Sequence, residues 1–141
     1  MAPAPIRDDS ANMDFSARFQ RSTTVAASPA AASETTVCSL TLTGDIAVVQ
    51  GTALWGFVAL TVGASGTDVT VKIRRTDTSG TTVVSTGLLN APAAGDLLAI
   101  PLQGFDTGTA MPGQVYVLTV TVANGAATST VSACSLLALV V

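Results

Sequence analysis

Residues 68–86 read Asp-Val-Thr-Val-Lys-Ile-Arg-Arg-Thr-Asp-Thr-Ser-Gly-Thr-Thr-Val-Val-Ser-Thr. Val69, Val71 and Ile73 alternate with Thr70, Lys72 and Arg74, the period of a strand with one buried and one wet face. Asp77-Thr78-Ser79-Gly80 supplies turn chemistry, and residues 81–86 return as the second arm of a hairpin. Thr and Val favour a pleated, half-buried backbone over a helix, because branching at Cβ restricts χ1.

The same grammar extends in both directions. Residues 36–42 place Cys38, Leu40 and Leu42 on one face, and a short strand at 46–49 follows the Gly44-Asp45 turn. Residues 54–62 are apolar on both faces, with Leu54, Val58, Leu60 and Val62 on one and Trp55, Phe57 and Ala59 on the other. Downstream, 90–95 reads as a loop, 96–102 as a strand and 104–113 as a longer loop. Residues 114–123 set Tyr116, Leu118, Val120 and Val122 against Val115, Val117, Thr119 and Thr121. Asn124-Gly125 turns the chain, and 129–140 is the closing strand. No amphipathic helix of any length interrupts the series. Eight antiparallel strands predict an all-β sandwich, an eight-stranded jelly roll before a seven-stranded immunoglobulin-like one. Trp55 lacks the flanking cysteines that the latter arrangement expects.

The chain has 141 residues, enough for one domain with a sizeable core. Charged residues make up 11% and histidine is absent. Histidine-dependent catalysis and histidine metal sites are therefore excluded. A formal net charge of −3 argues against a nucleic-acid footprint. Apolar runs such as Leu54–Leu60 are far shorter than the roughly 18 residues of a spanning helix, so no membrane partner is expected. Pro3, Pro5 and the Asp8-Asp9 pair interrupt any signal-peptide core, which predicts synthesis in a cytoplasm. The two cysteines, Cys38 and Cys134, match no metal spacing. They read as buried thiols or as a link between early and late strands.

Composition shifts near residue 36. Residues 1–36 hold seven of the fifteen charged side chains, together with Pro3, Pro5, Pro29 and an Ala/Ser tract. They predict an extended N-terminal arm, and residues 37–141 the β-sandwich domain. Within the arm, residues 13–20 admit a short helical turn with Phe15 and Phe19 on one side. Fully extended, the arm reaches on the order of 100 Å at about 3.3 Å per residue. Ile6, Phe15 and Phe19 offer apolar anchors, and Arg7, Arg18 and Arg21 offer forks for carboxylates. These six form the candidate attachment set.

Eight charges over residues 37–141 are too few to coat an isolated domain. Strands apolar on both faces point to a covering partner, most simply another copy of the chain. Trp55, Phe57 and Tyr116 are the candidate oligomer-interface residues. A sugar-stacking platform built from them is disfavoured by six aromatics in the whole chain. Asp106-Thr107-Gly108 spells the short motif of aspartic proteases, but its flanks read as a loop, and an Asx-type turn explains it better. The protease reading requires two such aspartates, one per chain, sharing a proton. Lys72, Arg74 and Arg75 form a small basic group, better matched to nearby aspartates than to a polyanion. Asp45, Asp68, Asp77, Asp96 and Asp106 lie at turns without calcium-loop spacing. No motif implies a cofactor.

The Arg-Arg strand end within VTVKIRRTDTSGTTV, the tyrosine strand GQVYVLTVTVANG and the closing STVSACSLLALVV resemble small structural proteins of tailed-bacteriophage virions. Capsid decoration, or cement, proteins are the nearest in style, and the closing strands resemble tumour-necrosis-factor-like jelly rolls, which form trimers. The resemblance spans residues 36–141. It implies a non-enzymatic homotrimer on the capsid surface, bound to the major capsid protein at subunit junctions and stabilising the head. A tail or head-fibre component, or a surface-displayed β-sandwich binding module, is the alternative role.

Overall fold

The computed structural model describes residues 19–23, 29, 32–43, 51–108, 112–123 and 129–141. Nine strands follow in chain order: β1 (Phe19–Ser22), β2 (Glu34–Thr41), β3 (Thr52–Thr61), β4 (Thr67–Arg75), β5 (Thr82–Ser85), β6 (Leu89–Ala91), β7 (Leu97–Asp106), β8 (Val115–Ala123) and β9 (Thr130–Val140). They form two antiparallel sheets, one ordered β1-β9-β3-β7 and the other β2-β8-β4-β5, with β6 also paired to β4. The chain is an all-β sandwich.

The pairing has a simple logic. β1 pairs β9, β2 pairs β8, β3 pairs β7, and β4 pairs β5 and β6. Successive pairs fall alternately in the two sheets. A long hairpin wound around itself produces this order. The ninth strand arises because β5 and β6 divide one edge of β4 between them.

Alternation places the core. Leu54, Val58 and Leu60 on β3, with Leu136 and Ala138 beside them on β9, face Val69, Val71 and Ile73 on β4 and Leu118 and Val120 on β8, all fully buried. Each large apolar side chain removed from water contributes roughly 1.5–3 kcal/mol before entropy is counted. Gly56 marks a close approach of the layers. A Cβ there would stand 2.7 Å from Leu102 Cδ2 and 2.9 Å from Leu118 Cδ1, one on each sheet.

Several expectations are corrected. The boundary at residue 36 cuts through β2, which begins at Glu34, and β1 lies inside the expected arm yet pairs with Leu136–Leu139 of β9. Phe19 and Gln20 are strand residues rather than the end of a helical turn. β6 replaces the start of a loop at 90–95, and β7 runs on to Asp106 through the expected loop at 104–113. The expected strand at 46–49 and the helical turn before Phe19 lie outside the described residues.

Both cysteines are buried thiols. Cys38 Sγ donates to the Ser22 carbonyl at 3.5 Å, and Cys134 Sγ to the Val37 carbonyl at 3.2 Å.

Replacing Gly56 by Val forces both contacting leucines from their positions in a filled core. The expected loss is about 1–3 kcal/mol. Urea denaturation, with an unchanged slope and a lowered midpoint, is the measurement.

Candidate interaction surface

The two outer faces of the sandwich differ in kind. On the β2-β8-β4-β5 sheet the outward residues are mainly Thr, Ser and charged groups, with Val115, Val117 and Ala123 among them on β8. Glu34 receives two hydrogen bonds from Arg74, Nε to Oε1 at 2.6 Å and Nη2 to Oε2 at 2.9 Å. The Thr119 hydroxyl donates to the same carboxylate at 2.6 Å. Glu34 and Arg74 belong to β2 and β4, so the pair reaches over β8. These bonds from Arg74, foremost, hold the Glu34 carboxyl below its ordinary range. Val117 is buried on this outer side and lies between Ser39 and Arg74 by register. Val117, the central apolar residue on this side of β8, is thus covered from within the chain.

The β1-β9-β3-β7 sheet shows the opposite outer face. Register aligns its outward residues in rows across the strands. Leu139, Ala53 and Phe105 form one row, Leu137, Trp55 and Gln103 the next, then Ser135, Phe57 and Pro101, then Ala133, Ala59 and Ala99. Phe57 is 37% exposed, Phe105 46% and Leu97, at the far end, 63%. Arg21 of β1, opposite Leu137, is the charged residue of this face among the described residues, and it is exposed.

Of the three aromatic interface candidates, Trp55 and Phe57 point outward on this face. Tyr116 does not: it is completely buried. Its ring enters the core opposite Leu40, and its hydroxyl donates to Asp106 Oδ2 at 2.7 Å. Phe105 and Leu97 escaped the sequence reading. Both sit at ends of β7, and Gly104 disguised its second half as a loop. That glycine is required by packing, since a Cβ would lie 2.7 Å from Val84 Cγ1. In the attachment set, Ile6, Arg7, Phe15 and Arg18 lie outside the described residues, while Phe19 and Arg21 sit on β1.

Asp106 is the most constrained polar group. It ends β7 facing inward and accepts four hydrogen bonds. Arg75 of β4 grips it with Nε at 3.0 Å and with Nη2, Tyr116 adds its hydroxyl, and the Gly108 amide donates at 3.0 Å. That last bond is the Asx-type turn expected from Asp106-Thr107-Gly108. Burial alone would raise the Asp106 pKa. The donors outweigh it and hold the carboxyl below its ordinary value. Both of its oxygens are taken up by partners within the chain: Arg75, Tyr116 and the Gly108 amide. Burial, reinforced by the adjacent carboxylate, pushes Tyr116 up to about 12. The other described turn aspartates have local roles: Asp77 accepts from the Ser79 amide at 2.8 Å, Asp96 from the Ala93 amide at 3.0 Å, and Asp68 from Asn90 at 2.8 Å. Asp45 lies outside the described residues.

No protein-family model matches the chain, and no curated protein matches it. Among solved structures, a chain of infectious bursal disease virus, Gx strain, aligns with 87% of this chain at 15% identity and a TM-score of 0.55. The Gt strain gives 16% identity and a TM-score of 0.54 over the same share. This chain spans about a third of the length of those viral chains (32%). A chain from Bacillus endospore appendages, described as disulfide-linked pili, aligns at 15% identity with a TM-score of 0.48, covering 87% of this chain and 88% of that one. The viral likeness is one of fold.

Asp106→Asn is expected to cost about 2–3 kcal/mol at neutral pH, less than a wholly buried pair because Arg75 is one-third exposed. The folded Asp106 value lies below the ordinary 3.8. Its contribution is therefore complete above that value and is lost as pH falls through the depressed folded one. Urea midpoints measured from neutral pH down to acid should fall less steeply in the variant than in the parent.

Thr52 gives the converse case. Its buried hydroxyl faces Tyr116 without a hydrogen bond of standard geometry. Thr52→Val removes an unsatisfied polar atom and is expected to shift stability by no more than about 0.5 kcal/mol in the same assay.

Proposed function

We propose that the chain is a non-enzymatic structural protein of a virion. In this reading it is a decoration protein, made in the host cytoplasm and seated on the outside of a phage head where major capsid proteins meet. The observation that carries the structural reading is the division between the two outer faces, which suits the chain to assembly, while attachment to the head is assigned to the N-terminal segment. One sheet presents threonines and nearly all the outward charge, suited to water. The other presents Trp55, Phe57, Phe105 and alanines with one arginine, suited to being covered. The sharing of a β-sandwich fold with infectious bursal disease virus chains supports a place among virion proteins. The strength of such a component comes from repetition, because many identical weak contacts over a lattice add up to avidity. Residues 1–18 remain the proposed attachment segment, with Ile6 and Phe15 as apolar anchors and Arg7 and Arg18 as carboxylate forks. Burying the phenylalanine contributes roughly 1.5–3 kcal/mol before ordering costs.

The test is co-purification with particles at a copy number set by the lattice, followed by deletion of residues 1–18. This deletion spares β1 and Glu34. The shortened chain is expected to keep its β-sheet circular dichroism. Its binding to undecorated capsids is expected to fall by about tenfold or more, equal to about 1.4 kcal/mol. Unchanged binding would place the attachment surface on the sandwich.

A further inference from the structure

We propose that a second copy of this chain covers the outer face of the β1-β9-β3-β7 sheet, packed face to face about a two-fold axis. The pairing is independent of what the protein is mounted on.

Three observations select a like partner. The first is chemical. Among the described residues the face bears one charge, Arg21 at its β1 edge, and is otherwise mainly apolar, so most of its area calls for an apolar partner. An identical face meets that apolar area with apolar area, and each Arg21, on the edge strand β1, can stay in water. The second is shape. Large residues occupy the rows of Phe105, Trp55 and Phe57, whereas Ala133, Ala59 and Ala99 form a row of small residues directly beside them. A two-fold axis lying parallel to the face, across the strands and above the boundary between the Phe57 and Ala59 rows, sets the Phe57 row of each copy against the alanine row of the other. That is the interdigitation that sheet-on-sheet packing requires. The third is size. Three strands of ten or eleven residues and one of four, spaced about 4.8 Å apart, give roughly 500 Å² of flat area per copy. Two copies then remove on the order of 1,000 Å² or more, which reaches the lower bound of a specific interface.

The same chain shows what a solvated face looks like. The opposite sheet carries Lys72, Arg74, Glu34 and Asp68 outward. The apolar sheet, with equal access to water in a single copy, lacks such residues apart from Arg21.

The experiment is sedimentation equilibrium of the full chain at micromolar concentration, with two variants from opposite ends of the packing. Phe57→Glu places a charge on the ridge. Ala99→Arg fills the hollow at an exposed alanine, where folding is not at stake. Leu88→Glu, at a residue 72% exposed in the β5–β6 connection, is the control. The expected result is the mass of two chains for the parent and for Leu88→Glu. Ala99→Arg is expected to weaken pairing at least about tenfold, and Phe57→Glu to do the same wherever its circular dichroism shows a folded chain. A monomeric parent overturns the proposal, and a parent that pairs only after residues 1–18 are deleted shows that its own segment holds the face. A trimer, the form the phage resemblance implies, overturns the two-fold pairing. So does a dimer that survives Ala99→Arg, which would locate the contact elsewhere.

Discussion

Asp106 ends a strand of one sheet, and the side chains that hold its charge, Arg75 and Tyr116, belong to the other. A sandwich without a disulfide between its layers relies on apolar contact, which resists separation but tolerates sliding. A buried carboxylate gripped by a guanidinium fork and a phenol is directional. It fixes the register of β7 against β4 and β8 at one end of the barrel-like stack. Gly108 is part of the same device. A Cβ there would stand 2.1 Å from Arg75 Nη2, so only glycine lets the guanidinium lie against the turn. The three letters that spell a protease motif in this chain are the geometry of a clamp.

Glu34 and Arg74 do for the outer side of the second sheet what Asp106 does for the interior. The pair crosses β8 and ties its neighbours β2 and β4 together above it. This makes the outer face of β8 self-sufficient, with Val117 hidden beneath and Thr119 hydrogen-bonded. The apolar outward residues of β3 have no equivalent roof among the described residues. Two strands that look alike in sequence, both apolar on both sides, thus have different fates because of what their neighbours contribute.

Period-two alternation made β3, β4, β8 and β9 legible, since each is long enough for a pattern to repeat. β1 and β6 were not legible. Four and three residues carry no period, and each exists because a longer strand already offers it a row of backbone partners. Alternation also cannot say which side is inward when both are apolar. On β8 it grouped Tyr116 correctly with Leu118 and Val120, but the choice between core and surface depended on Asp106, at the end of the preceding strand and hidden in an apparent loop. Trp55 and Phe57 were separable from Leu54 and Val58 by parity alone. Phe105 was lost to Gly104, whose role is to admit Val84 and not to end a strand. Glu34 sat in a stretch whose composition is that of a tail, and its partner is forty residues away.

The winding has a consequence for how the fold must form. β9 lies between β1 and β3, and β8 lies between β2 and β4, so the last two strands are central in both sheets. Until residues 115–140 are in place, β1 and β2 have no partners and neither sheet is continuous. Most native contacts therefore join segments far apart in sequence, the condition under which loop entropy must be met early and folding is slow. During that interval β3 presents apolar residues on both sides, and association before closure would bury the wrong one. Gly56 and the alternation of Leu54, Val58 and Leu60 favour the inner face for the core because that side alone meets leucines and valines from the second sheet at close range. The outer face, with bulky residues beside a row of alanines, packs poorly against that same surface. Its shape suits a partner that becomes available only after the sandwich has closed.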